Sequence, residues 1–349
     1  QELAAVEAID RFAREQLAPN AAALDEAGEF AFRHHQAMAE LGLYGLNIPP
    51  EYGGIGLSPA ALFLAVSHIT AACASTASLI TAHFLAADAI AIAGDRDQRQ
   101  RLLPRLGTGR LAAFALTEPA AGSNPADLTT RAELVAAGYR ISGSKQFISN
   151  ADAAEILVVF AKTDPAAGAR GISVFAVDRS TAGVAIGRAE RTMGLKGGHV
   201  FPISLDCVVP QSARLGAEGS GFKTAMRVLD NGRLEVAAMA IGIAEAAFHA
   251  ASLLATGFSV VTTLTRTCVI AEHLVLQYGF ERRCRGIHGT DIAVLELEDP
   301  KSDAFARILS CAETALANDR SGAIVLGCAG MADMCRTLQQ RLGVPVIDG

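Results

Sequence analysis

Phe114-Ala-Leu-Thr-Glu-Pro-Ala-Ala-Gly-Ser-Asn124, followed about twenty residues later by Gly143-Ser-Lys-Gln-Phe-Ile-Ser-Asn150, is the pair of segments on which the reading of this chain turns. Each sets Gly, Pro and small hydroxyl residues beside a β-type run. Such a sequence lets backbone amides and short side chains approach a planar ring closely, because glycine carries no Cβ and Ser, Thr and Asn favour turns. Thr117, Ser123 and Ser149 supply hydroxyls, and Phe147 an aromatic able to lie against a ring. Singly, each is more economically read as a turn hydroxyl or a core aromatic. The two segments in this order and spacing are the specific signal.

The segments lie in a series of short β-like runs: Ala112–Leu116, Tyr139–Ser142, Gln146–Ser149, Ile156–Ala161, Ile172–Val177, Val184–Gly187 and Val200–Val208. Turns such as Asp164-Pro165 and Gly197-Gly198 separate them, so residues 111–215 are expected to form a small barrel or sandwich. Upstream, residues 1–110 have helical periodicity, with Val6, Ile9, Phe12 and Leu17 on one stripe and Leu102, Leu103 and Leu106 near a break at Pro104. No Asp, Glu, Lys or Arg occurs from Tyr52 to Ala87, a length that raises a membrane span. The Gly, Ser, Thr and His residues interspersed there fit two buried helices of a bundle better, and no membrane segment is expected.

Downstream, Gly219-Ser-Gly-Phe222 opens a helix, the start of a helical bundle over residues 216–254, with Met226, Leu229, Leu234, Met239, Ile243 and Phe248 as its buried face. Beyond Thr256 the pattern alternates: strands at Phe258–Thr263, Ala323–Leu326 and Val344–Ile347, helices at Thr267–Gln277 and Met331–Leu342. Residues 255–349 therefore read as a partial α/β lobe. The chain as a whole is a multidomain protein: α-helical, then β, then a bundle helix, then α/β.

At 349 residues, 51% hydrophobic and with a mean hydropathy of +0.30, the chain has material for several cores. A net charge of −6 with scattered basic residues gives no footprint for nucleic acid or an anionic membrane surface. Seven irregularly spaced cysteines, five of them after residue 260, indicate a reducing, cytoplasmic setting rather than a disulfide framework. No metal set is assigned, and no basic, apolar, then small-residue leader is visible from Gln1 onward.

Over residues 1 to about 245 the sequence resembles the acyl-CoA dehydrogenase family. Besides the two opening segments, the resemblance is carried by Leu43-Tyr-Gly-Leu46, Pro50-Glu-Tyr-Gly-Gly54, Met193-Gly-Leu-Lys-Gly197, Asp206-Cys-Val-Val-Pro210, Leu215-Gly-Ala-Glu-Gly-Ser-Gly-Phe222 and Asp230-Asn-Gly-Arg233. It implies FAD held between a helical domain, a β domain and a bundle, and α,β-dehydrogenation of an acyl-CoA thioester. Carried over by position, Phe114, Ala115, Leu116, Thr117, Gly122 and Ser123 line the flavin, and Phe147, Ile148 and Ser149 cover its edge. Ser123, Asp230 and Arg233 match acyl-CoA contacts; a simple helix-surface ion pair between Asp230 and Arg233 is the competing reading. The family also implies an electron-transferring flavoprotein as partner and a homo-oligomer. Asn124 stands where the family usually has Asp, and Phe147 where Trp is common. Neither of the family's positions for the catalytic Glu is filled: the later motif has no match, and the alternative position before the helix arginine is Gly232.

From about Glu245 the sequence resembles a second family, the aspartate/glutamate/hydantoin racemases, on Phe258-Ser-Val-Val-Thr-Thr263, Val325-Leu-Gly-Cys-Ala-Gly-Met331 and Gly343-Val-Pro-Val-Ile-Asp348. This resemblance implies that Cys328 is one of two cysteines facing a substrate carbon; its partner belongs to a half of that fold for which no match is found. Three functions stay open: a flavin-dependent dehydrogenase of impaired turnover, a racemase acting through Cys328, and a non-catalytic flavin-binding fusion.

Overall fold

The computed structural model describes residues 2–297, 299 and 301–348. Two compact units divide the chain, residues 1–239 and 240–349.

In the first unit, α1 (Glu2–Phe12) passes through one π turn, Ala13–Leu17, into α2 (Ala18–Ala27). Val6, Ile9, Ala13 and Leu17 are buried along this rod, which is the stripe the sequence marks out, and Gly28 ends it in a left-handed conformation (φ 62°). After α3 (His35–Glu40) come α4 (Pro59–Ala72), capped by Ser58, and α5 (Ala74–Ala93). These two are the helices expected in the uncharged stretch. Helix α6 (Arg96–Gly107) opens with a reciprocal capping box between Asp95 and Gln98. Pro104 does not break it, contrary to expectation: a proline in the last turn removes only one backbone bond, and Leu102, Leu103 and Leu106 are buried around it.

Eight strands follow: β1 (Ala112–Ala115), β2 (Arg131–Val135), β3 (Gly138–Ser149), β4 (Ile156–Lys162), β5 (Ile172–Asp178), β6 (Val184–Ile186), β7 (Val200–Val209) and β8 (Arg214–Leu215). They form one mixed sheet in the order β6-β7-β3-β2-β4-β5-β8, with β1 paired to β4. Its halves join at the single pair Arg131↔Lys162 and face each other across a shared core, in which the Tyr139 and Phe175 rings lie 5.1 Å apart. The other face of β4 and β5, with Val158, Phe160 and Val174, packs on Ile90, Leu106 and Val228 of the helices. Two expected strands, 139–142 and 146–149, are one: β3 runs through Gly143 (φ 151°), where a Cβ would stand 2.5 Å from Thr130 Oγ1.

Helix α7 (Gly221–Leu254) starts in the first unit and ends in the second. Leu234, expected on its buried face, is 51% exposed, whereas the neighbouring Glu235 is 3% exposed. The helix packs through its small residues Ala225, Val228 and Ala238, and this rotates the bulky Leu234 outward.

The second unit holds β9 (Phe258–Thr262), α8 (Cys268–Gln277), β10 (Cys284–Gly289), α9 (Ala304–Asp319), β11 (Ala323–Leu326), α10 (Cys335–Leu342) and β12 (Val346–Asp348). Its sheet, ordered β10-β9-β11-β12, is parallel throughout, and β9 is buried along its whole length. Residues Ala329–Met334 form a 3-10 turn, so the helix expected from Met331 begins only at Cys335. By length and composition alone, Ala74–Ala93 and Gly221–Leu254 could cross a membrane; most of the first is buried against its neighbours.

Candidate active site

A cavity of about 400 Å³ in the first unit gathers the two opening segments. Its lining includes Phe114, Leu116, Thr117, Gly122 and Ser123 from the first, Phe147, Ile148 and Ser149 from the second, and Met226, Leu229 and Arg233 from α7, with Leu85 of α5 beside them. That volume lies within the usual range for small-molecule sites. Gly122 has open space where a Cβ would stand, so its backbone is approachable. Ala115 is the exception among the expected lining residues. Strand alternation turns its side chain into the core between the sheet halves, where it is fully buried.

Phe147 is the most distinctive residue of the site. The β3–β7 register slips between Lys145 and Ile148, and at this bulge Phe147 adopts φ 56° while its side chain stays 60% exposed. A left-handed backbone costs a non-glycine residue roughly 1–2 kcal/mol, and an exposed ring gains little from burial. Strain of this kind concentrates at ligand sites. The ladder resumes at Ile148 opposite Phe201 and continues with Ser149 opposite Val200, and Asn150 (φ 62°) anchors the strand end by donating from Nδ2 to the Leu79 carbonyl at 2.8 Å.

Behind the bulge lies a buried ion pair. Lys145 Nζ, with its side chain fully enclosed, sits 2.8 Å from Glu118 Oε1 and donates to the carbonyls of Leu116 (3.1 Å) and Phe160 (2.7 Å). Glu118 also accepts from the backbone N–H groups of Thr129 and Thr130 and from the Thr129 hydroxyl. Burial alone would raise the Glu118 carboxyl, but the Lys145 charge and these bonds hold it down at about 2. Burial pushes the Lys145 ammonium down to about 8 against the pull of Glu118. With Gln146 N–H donating to Thr117 O at 2.9 Å, the pair ties together the strands that present Thr117 and Phe147. Neither charge was assigned a role from sequence; the available signal was a lysine at an inward position of a strand and a glutamate beside Thr117.

Arg233 and Asp230 form an exposed ion pair one helical turn apart, the competing reading weighed from sequence. Arg233 nevertheless also lines the cavity. No Asp or Glu is among the described residues lining it. Glu235 lies on the opposite side of α7 from Met226, Leu229 and Arg233, as a rotation of 100° per residue requires, and is no substitute base. Gly232 abuts Leu85, whose Cδ2 stands 2.6 Å from where a Cβ would be.

In the second unit, Cys328 follows β11 with only Gly327 between and is half-buried. The connections from β9 and β11 leave toward opposite sides of the sheet, so Cys328 and the buried Thr262 and Thr263 stand at a topological switch point. Among the described residues all seven cysteines are free.

Residues 1–110 and 113–208 match the N-terminal and middle domains of acyl-CoA dehydrogenase. The chain belongs to the acyl-CoA dehydrogenase family over these two domains. Residues 224–349 match a different family, described as Asp/Glu/hydantoin racemase, so the sequence is a composite. Acryloyl-CoA reductase (NADH) of Anaerotignum propionicum is 42% identical over 241 residues, 68% of this chain and 61% of that protein. Butyryl-CoA dehydrogenase of Megasphaera elsdenii is similar in structure, with a TM-score of 0.73 and 27% identity over 97% of this chain and 93% of that one. An acyl-CoA dehydrogenase of Bacillus anthracis, solved complexed with FAD, aligns at a TM-score of 0.66 and 31% identity over 72% of this chain and 44% of that one. The chain spans 56–65% of the length of curated relatives that it matches.

Proposed function

We propose that the cavity of the first unit binds FAD and an acyl-CoA thioester, as an acyl-CoA dehydrogenase-like oxidoreductase site for α,β-dehydrogenation. The observation that carries this reading is Phe147, a bulky residue held in a left-handed backbone with its ring presented to the cavity. When bound, the flavin supplies the acceptor for the hydride that leaves the substrate. The chain supplies the setting: the Phe147 ring for stacking, the Thr117 and Ser149 hydroxyls for polar atoms of a heterocycle, and Gly122 for close backbone approach. Leu85, Met226 and Leu229 exclude water, and the Arg233 guanidinium suits a carbonyl-rich, anionic ligand. With no carboxylate among the described residues lining the cavity, slow proton removal from the substrate is part of this reading. The proposed partner for reoxidation is an electron-transferring flavoprotein, and a homo-oligomer in the cytoplasm is the proposed assembly.

Purified chain should be yellow, with flavin absorbance, and acyl-CoA should bleach that absorbance slowly. Colourless protein that takes up no added FAD would refute the flavin site; yellow protein that no acyl-CoA of any chain length bleaches would reduce it to a binding remnant.

The position of Cys328 at a switch point supports a second reading, racemisation of a hydantoin- or amino-acid-like substrate at the second unit. Loss of optical rotation of a chiral hydantoin, abolished by Cys328→Ser, is the result expected of it. Unchanged loss in that variant would exclude Cys328.

A further inference from the structure

On the side of α7 away from the proposed flavin site, a separate cavity of about 160 Å³ is lined by Asn47, Asp88, Asn231 and Glu235 below apolar walls from Leu57, Leu62, Phe63 and neighbours. Its polar groups are unevenly used. Asp88 accepts from Asn47 Nδ2 at 2.8 Å and from Asn231 Nδ2 at 2.7 Å, and Asn47 Nδ2 also donates to the Phe84 carbonyl at 3.1 Å. Both hydrogens of Asn47 Nδ2 are therefore committed, and one of those of Asn231 Nδ2. Two acceptors, Asn47 Oδ1 and Glu235 Oε2, are enclosed without a partner. Glu235 itself is 3% exposed, and no Lys, Arg or His is among the described residues lining the cavity.

An enclosed carboxyl that lacks a partner is costly, and native interiors leave few such groups unexplained. Nothing in the flavin reading uses it. We infer that this cavity is a binding site for a small primary alkylammonium, its head accepted by Glu235 and Asn47 beside Asp88 and its chain lying along Leu57, Leu62 and Phe63. A donating ligand is called for because the enclosed atoms without a partner, Asn47 Oδ1 and Glu235 Oε2, are acceptors. A cationic head suits it, because two carboxyl groups face the cavity with no counter-charge among the described residues lining it, and a bound cation would offset the burial and the Asp88 charge that push the Glu235 carboxyl up to about 8 in the empty cavity. The ligand must be in part apolar, because the walls are. Set against about 30 Å³ per water in the liquid, the volume holds roughly five non-hydrogen atoms.

The test is isothermal titration of the full chain with n-butylammonium at mildly alkaline pH, beside sodium and n-butanol at matched concentration. Saturable binding of n-butylammonium with none for sodium or n-butanol is expected, weakened at least tenfold by Glu235→Gln. If that variant fails to fold, Leu234→Trp, which fills the mouth from a half-exposed position, should abolish binding while leaving the buried groups in place. Absence of saturable heat, equal binding by sodium or n-butanol, or unchanged affinity in the folded variant would overturn the assignment. Flavin content plays no part in this readout, so its failure is separate from any failure of the dehydrogenase reading.

Discussion

Lys145→Met removes the cation at the centre of the buried pair behind the cavity-lining segments. The intact pair contributes little net stability, since the desolvation that lowers the Lys145 ammonium offsets most of its attraction to Glu118. Removing one partner is different in kind. Glu118, whose side chain is 1% exposed, would keep a charge with no counter-ion, and the Leu116 and Phe160 carbonyls would each lose a donor. A cost of about 3–5 kcal/mol at neutral pH is expected, a large share of a domain's stability. The sign with pH is also fixed. In the native chain the Glu118 carboxyl sits at about 2, below its ordinary 4.5, so its contribution is present above 4.5 and lost as pH falls toward 2. In Lys145→Met the Thr129 and Thr130 bonds still hold that carboxyl down, but the Lys145 charge no longer opposes burial, so the carboxyl moves back up and less of this pH-dependent contribution remains to be lost in acid. Urea denaturation of both proteins across that range should show their stability difference shrinking as pH falls. The double variant Lys145→Met/Glu118→Gln should recover part of the loss at neutral pH, because no buried charge remains. A single variant within 1 kcal/mol of the native chain, or a double variant no better than the single, would refute the account of the pair.

Phe147→Gly should raise the melting temperature of flavin-free protein by relieving a strain of roughly 1–2 kcal/mol, while weakening FAD retention measured by fluorescence titration. Gly232→Glu combined with Leu85→Ala, which clears the 2.6 Å approach, places a carboxylate beside the cavity; faster bleaching by acyl-CoA than in Leu85→Ala alone is expected in stopped-flow absorbance. The Glu235 carboxyl, raised to about 8 from 4.5, contributes stability that is present below 4.5 and lost as pH climbs through 8. Glu235→Gln should therefore flatten the decline in melting temperature over that interval, a change readable by calorimetry.

Much of this site is legible in the sequence because turn chemistry is local. Gly122, Ser123 and the hydroxyl beside Phe147 announce a close backbone approach wherever they occur, and the structure brings those two segments to one cavity. What escaped depends on packing partners far along the chain. Strand β2, Arg131-Ala-Glu-Leu-Val135, is composed largely of helix formers and is a strand only because β3 pairs with it. Strand β10 carries two glycines and no alternating apolar run, and takes its extended form from β9. The burial of Glu235 in place of Leu234 is set by which face of α7 has residues small enough for close packing, and a stripe drawn through the bulkiest side chains misses it by one position.

The passage from one unit to the other inside α7 has a consequence for how such a protein can arise. A helix asks of its sequence little beyond one turn in either direction, because its hydrogen bonds span four residues. The segment Gly242–Ala247 begins nine residues after Arg233, about 13.5 Å along the axis. Sequence can therefore be exchanged there without altering the turn that presents Met226, Leu229 and Arg233 to the cavity. In genetic terms α7 is a permissive point for exchange: residues beyond that segment can vary while the turn that lines the cavity keeps its helical geometry.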